Sequence, residues 1–187
     1  MAGIGFSRYR FRGSRGFQLG ILVTQLFPLI LLVTPYYVLM SRFGLIDKHL
    51  SLIITYCAFT LPFCVWMLNT YFHSVPVDME ESAMIDGCSR MRIYWEIMMP
   101  LAKPAAATLT IFTFLTSWND FFDPLIFIND RKLMTLPLAL SLFTDEAGTA
   151  WHHLMSASVM ATLPLLIVFF LAQRQFIEGV AMTGLKD

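Results

Sequence analysis

Four apolar runs, each long enough to cross a bilayer, constrain this chain more than any motif in it: Phe17–Met40, Leu50–Phe72, Ala105–Ile128 and His153–Ala172. A spanning helix needs about 20 consecutive, mostly apolar residues. In hydrocarbon each backbone polar group must also find its partner inside the protein, which runs of this kind achieve as helices. The first run alone would reach about 36 Å as a helix. Composition agrees: 57% of residues are hydrophobic, 14% are charged, and the mean hydropathy is +0.64, outside the range of an ordinary soluble domain. The expected fold is therefore all-α, a polytopic helical membrane protein with about four transmembrane helices. The formal net charge of zero gives no basic footprint, so nucleic acid is not an expected partner. Cys57, Cys64 and Cys88 are an odd set without framework spacing and read as small apolar side chains.

The start of the chain holds Arg8, Arg10, Arg12 and Arg15 with no acid before Gly16, and no apolar core of signal-peptide type. A basic flank beside a span is retained in the cytoplasm, and the same arginines suit anionic membrane lipid. Pro28 and Pro35 interrupt the first run, Pro62 the second and Pro164 the last; membrane helices tolerate such prolines, which mark bends. His49 reads as a solvated loop side chain, and Asn69 as a hydrogen-bonding group between helices.

Between the second and third runs lies the longest charged interval, Asp78 to Pro100. Asp78 with Glu81 resembles a capping box, and Gly87 after Asp86 is the expected stop. Ser89 can cap a second short helix, carrying the i,i+4 pairs Tyr94/Met98 and Ile93/Ile97, which Pro100 is expected to end. Local chemistry alone is equally compatible with a solvated amphipathic hairpin joining two spans.

The spacing adds a resemblance. Glu81-Ser82-Ala83, three residues, Gly87, nine residues, Ile97, one residue, then Met99-Pro100 is similar to the Glu-Ala-Ala loop of ABC importer permeases. Ser82 and Met99 stand where that pattern has Ala and Leu. The phrases Leu68–Pro76 and Ser117–Phe121 are similar to the carbohydrate-uptake branch, of maltose and sn-glycerol-3-phosphate type. The resemblance implies that residues 76–100 form a cytoplasmic coupling loop docking into a separate ATPase subunit. Glu81, Ser82, Ala83, Asp86, Gly87, Ile97 and Pro100 are its candidate residues. It also implies an ABC ATPase dimer, a second permease subunit, an extracytoplasmic solute-binding protein and a carbohydrate-type substrate as partners. Such permeases usually have six spans, so two N-terminal spans are expected to be absent, from either a truncated chain or a minimal permease.

Trp118, Asn119 and Asp120 admit two readings. They can line a substrate path, where an indole face and amide or carboxylate groups suit sugar hydroxyls, as ionisable groups within spans often do. They can instead satisfy helix ends, with Trp118 anchoring at the interface, and this structural role is the preferred one. Residues 129–152 form a long loop with a short helix expected within 136–143, and His152-His153 lacks the spacing of a metal site.

Orientation follows from counting basic residues. With both termini in the cytoplasm, the inner segments hold Arg8, Arg10, Arg12, Arg15, Arg90, Arg92, Lys103, Arg174 and Lys186, against Arg42, Lys48, Arg131 and Lys132 outside, nine to four. No Gly-rich loop with Lys-Ser or Lys-Thr is present to cradle ATP phosphates, so no cofactor is expected, the chain is not expected to be an enzyme, and hydrolysis belongs to another protein. The reading is a multi-pass cytoplasmic-membrane permease subunit of an ATP-driven carbohydrate importer working by alternating access. The alternatives are an ATP-independent transporter or channel fragment, and a non-transporting remnant.

Overall fold

A computed structural model of the chain describes residues 2–8, 12–145 and 148–184. Arg10 and Lys186, two of the basic residues counted for orientation, lie outside the described residues.

The chain is an all-α helical membrane protein. Its helices are α1 (Ala2–Arg8), α2 (Ser14–Leu26), α3 (Leu29–Arg42), α4 (His49–Ser74), α5 (Asp78–Ile85), α6 (Arg90–Ile93), α7 (Met99–Leu101), α8 (Lys103–Trp118), α9 (Phe122–Phe127), α10 (Leu136–Ser141) and α11 (Trp151–Gly184). A π turn over Tyr94–Met98 joins α6 to α7, and Thr144–Asp145 pairs antiparallel with Gly148–Thr149 as a two-residue hairpin. α4 and the Trp151–Leu171 part of α11 are each long and apolar enough to cross a membrane. Two bent pairs, α2 with α3 and Arg90–Leu101 with α8, raise the number of candidate spans to as many as four.

The prolines divide by position. Pro28 sits between α2 and α3 with φ −59° and ψ 128°, extended backbone that stops one helix and starts the next. Pro35, Pro62 and Pro164 lie inside α3, α4 and α11. Nearby hydroxyls back-bond to carbonyls one turn earlier: Thr60 to Tyr56 at 2.7 Å and Thr162 to Ser158 at 2.8 Å. The third apolar run is divided as well. α8 ends at Trp118 and α9 begins at Phe122, because Asn119 and Asp120 spend their side chains on helix ends, as described below.

The chain forms two compact units. One is drawn from residues 1–25, 61–110 and the segment from 172 onward; its core is Phe72, Ala83, Ile93, Met98 and Ala102, with Ile4, Leu68, Tyr71, Cys88 and Ile97 against it. The other is drawn from residues 26–60 and 111–171, around Met40, Leu52, Phe127, Ile128 and Leu138. In this second unit Asp47, in left-handed backbone at φ 58°, accepts from the backbone N–H groups of Asn129 and of Asp130, the latter at 2.9 Å. The Asp47 N–H donates in turn to the Phe127 carbonyl at 2.9 Å. His49, expected to be free, lies exposed with Nε2 3.0 Å from the Leu133 carbonyl. One loop is thus stitched to another at the start of α4.

Candidate functional site

Asp78–Pro100 folds as a short exposed helix standing on a packed base. α5 begins one residue earlier than a capping box requires: Val77 is the N-cap, and no side chain caps it. Asp78 is instead in the first turn with Glu80 and Glu81, three carboxylates at the end of the helix that favours negative charge. The other end closes as the sequence suggests. Gly87 takes φ 83°, its N–H donates to the Met84 carbonyl at 3.1 Å, and the Cys88 N–H donates to the Ala83 carbonyl at 3.0 Å. These are the two bonds of a Schellman closure. A Cβ on Gly87 would meet nothing within 4 Å, so glycine is there for its backbone freedom, not for space.

Ser89 does cap the next helix, accepting from the Arg92 N–H at 3.4 Å. Pro100 does not end that helix, which continues to Leu101. The reason is the π turn before it. The Met99 N–H reaches back to the Tyr94 carbonyl, five residues away, and this widening relieves the clash that a proline ring makes with the carbonyl four residues earlier. The direction changes two residues later, with a 63° bend between Arg90–Leu101 and α8. Tyr71 of α4 donates its hydroxyl to the Leu101 carbonyl at that bend, at 2.7 Å.

The candidate residues separate by exposure. Glu81, Ser82, Asp86, Gly87 and Pro100 are exposed, Ile97 is half-buried, and Ala83 is buried against Phe72, Ile93 and Met98. The small side chain of Ala83 therefore serves packing within its own unit. Two features escaped the sequence reading. Ile85 is 86% exposed at the tip of α5, with Met84 beside it also exposed; an isoleucine directly before an Asp-Gly stop was the available signal. Arg8 of α1 pairs through Nε with Glu80 and donates Nη2 to the Val75 carbonyl at 2.8 Å. Seventy-two residues separate that pair, so no local spacing announces it.

In the other unit, Trp118, Asn119 and Asp120 all hold helix ends or carbonyls. The Trp118 indole N–H donates to the Ala161 carbonyl of α11 at 3.1 Å, and Asn119 Nδ2 to the Leu115 carbonyl at 2.9 Å. Asp120 Oδ1 accepts from the Phe122 N–H at 3.1 Å, and Oδ2 from the Tyr56 hydroxyl at 2.8 Å. Asp123, one turn on, is buried. His152 and His153 have ring centroids 4.0 Å apart, and His153 stacks on Phe143. Asn69 is buried, and its Oδ1 finds no hydrogen-bond partner among the described residues; the expected bond to a neighbouring helix is not made there.

Comparison with known proteins gives a consistent result. Residues 1–181 match the family model described as the binding-protein-dependent transport system inner membrane component. The trehalose/maltose transport system permease protein MalG of Thermococcus litoralis is 33% identical over 187 residues, covering 100% of this chain and 67% of that protein. The diacetylchitobiose uptake system permease protein DasC of Streptomyces coelicolor is 32% identical, covering 96% of this chain and 65% of its own length. A crystal structure of a bacterial ABC transporter that imports the acidic polysaccharide alginate superposes with a TM-score of 0.76 at 26% identity, over 93% of this chain and 66% of that one. The chain spans about two thirds of the length of these relatives. With the match running from residue 1 to 181, this chain belongs to the binding-protein-dependent transport system inner membrane component family.

Proposed function

We propose that the chain is the non-catalytic permease subunit of an ABC importer, multi-pass with both termini in the cytoplasm, moving a carbohydrate or related solute by alternating access. The single observation that carries the reading is α5. An eight-residue helix with exposed Glu81, Ser82, Met84 and Ile85 stands on a base of Ala83, Ile93 and Met98, at the position where the family resemblance puts the coupling loop. A helix that transmits force needs one face free for the partner and the other fixed to its own subunit, and α5 has both.

The remaining assignments follow from that role. Residues 76–100 dock into a separate ABC ATPase, which supplies hydrolysis. A second permease subunit covers the apolar surface that α11 leaves exposed at Val159, Met160 and Phe170, lipid covering the rest, and an extracytoplasmic binding protein delivers the solute. A carbohydrate-type substrate is supported by the names of relatives that take up trehalose/maltose and diacetylchitobiose. Trp118, Asn119 and Asp120 bear on the path by holding α8, α9 and α11 in register. ATP binding shifts the equilibrium only if α5 makes different contacts in the two states.

The test is co-purification of the chain with its candidate ATPase, comparing the native sequence with Glu81→Arg. Recovery with the native chain and loss with the variant are expected. Equal recovery of the ATPase with both would remove the docking role from α5.

A further inference from the structure

We infer that α1 is a strut that holds the coupling helix to the end of α4, with Arg8 as its positioning residue. This rests on the coupling role proposed for α5.

Two contacts at opposite ends of α1 carry the inference. At its start, Gly3 is buried against α4 so closely that an added Cβ would come 2.8 Å from Leu68 Cβ and 3.2 Å from the Asn69 backbone nitrogen. A side chain there would force the helices apart. At its end, Arg8 grips two places at once: Nε on the Glu80 carboxylate and Nη2 on the Val75 carbonyl. Val75 lies just past the end of α4 and Glu80 lies in the first turn of α5. One guanidinium therefore spans the joint between the two helices.

The joint needs such a support. Val77 caps α5 without a side-chain hydrogen bond, so its own first turn fixes the entry direction weakly. The Arg8 and Glu80 side chains are only 11% and 19% exposed, which spares the pair much of the solvent screening that weakens surface ion pairs. A guanidinium is suited to the task because its planar fork donates in two fixed directions, which an ammonium cannot reproduce. Glu80 is thereby committed inward, while Glu81, on the next position around the helix, stays exposed for a partner.

The prediction concerns force transmission separately from docking. In the assembled complex in vesicles, the native cysteines are replaced by serine and Phe121→Cys is introduced as a reporter. ATP-dependent labelling of that cysteine by a membrane-impermeant maleimide then reads coupling without needing the solute. Arg8→Ala is expected to retain the ATPase on co-purification, to raise amide exchange across 78–85, and to reduce the ATP-dependent change in labelling about tenfold. Arg8→Lys recovers part of this, and the exchanged pair Arg8→Glu with Glu80→Arg recovers more than either single change. Gly3→Leu should reproduce the Arg8→Ala exchange pattern from the other end of α1.

Unchanged exchange across 78–85 in Arg8→Ala would overturn the strut whatever the ATPase does. Raised exchange with an undiminished labelling change would overturn the positioning role. Failure of the native chain to bind the ATPase counts instead against the coupling reading, and the exchange measurement still decides whether α1 braces α5.

Discussion

The Trp118 indole N–H donates to the Ala161 carbonyl at 3.1 Å, three residues before Pro164 in α11. Pro164 removes the N–H that would serve the Met160 carbonyl and crowds the turn before it, the turn in which Ala161 lies. Trp118 brings its donor to that turn, and the bond ties α8 to α11. Trp118→Phe keeps the aromatic packing against Phe114 but removes the donor. The expected loss is about 1 kcal/mol of stability, read as a lower Tm in detergent. An unchanged Tm accompanied by a changed solute KM would assign Trp118 to the path instead.

Asp120 joins Tyr56 of α4 to the first turn of α9. Asp120→Ala is expected to lower stability by about 1.5–3 kcal/mol and to lower uptake, with complex assembly intact. Tyr56→Phe should do part of the same, and the double change should fall short of the sum, because the two share one bond. Full additivity of the pair in thermal unfolding would separate Asp120 from Tyr56. Unchanged uptake in Asp120→Ala would exclude a path role.

The Asp47 carboxyl is held below the usual carboxylate range, first by the N–H of Asp130 and then by that of Asn129. Its folded value is depressed, so its contribution is complete above the unfolded value of about 4 and is lost as pH falls through the folded value. Asp47→Asn keeps a residue that tolerates φ 58° while removing the titration. Its Tm should lie below that of the native chain at neutral pH and begin to converge with it only as pH falls below about 4. Parallel Tm profiles through the acid range would refute this account.

Gly87→Asn should leave α5 and its partner docking nearly intact, whereas Gly87→Val should cost about 1–2 kcal/mol locally, because only the former visits left-handed backbone readily. Hydrogen exchange of the Cys88 amide, which closes the helix on Ala83, is the measurement. Equal protection in both variants would show that the loop does not depend on this closure.

Ile85, with 86% of its surface exposed, packs little within its own chain. Ile85→Glu is therefore expected to change unfolding stability by no more than about 0.5 kcal/mol while reducing recovery of the ATPase. Recovery at the native level would move the docking surface away from the tip of α5.

By itself the sequence determined the class and the punctuation. Apolar runs that exclude backbone from water must be helical, which made the all-α membrane fold legible from Phe17–Met40, Leu50–Phe72, Ala105–Ile128 and His153–Ala172. Gly87 and Ser89 were legible as a stop and a cap because both act on backbone within three residues of themselves. Tertiary structure decided what depended on distant partners. Asp78 left the cap because Val77 continued helical backbone into α5, and Pro100 stayed inside its helix because a π turn made room for it. Ala83 turned inward when α4 and α6 closed over it, and Glu80 turned to an arginine seventy-two residues away. Hydropathy and spacing record what a residue does to its own few neighbours. Which side of a short helix is buried, and which carboxylate is left for a partner, is set only when segments far apart in the chain pack together.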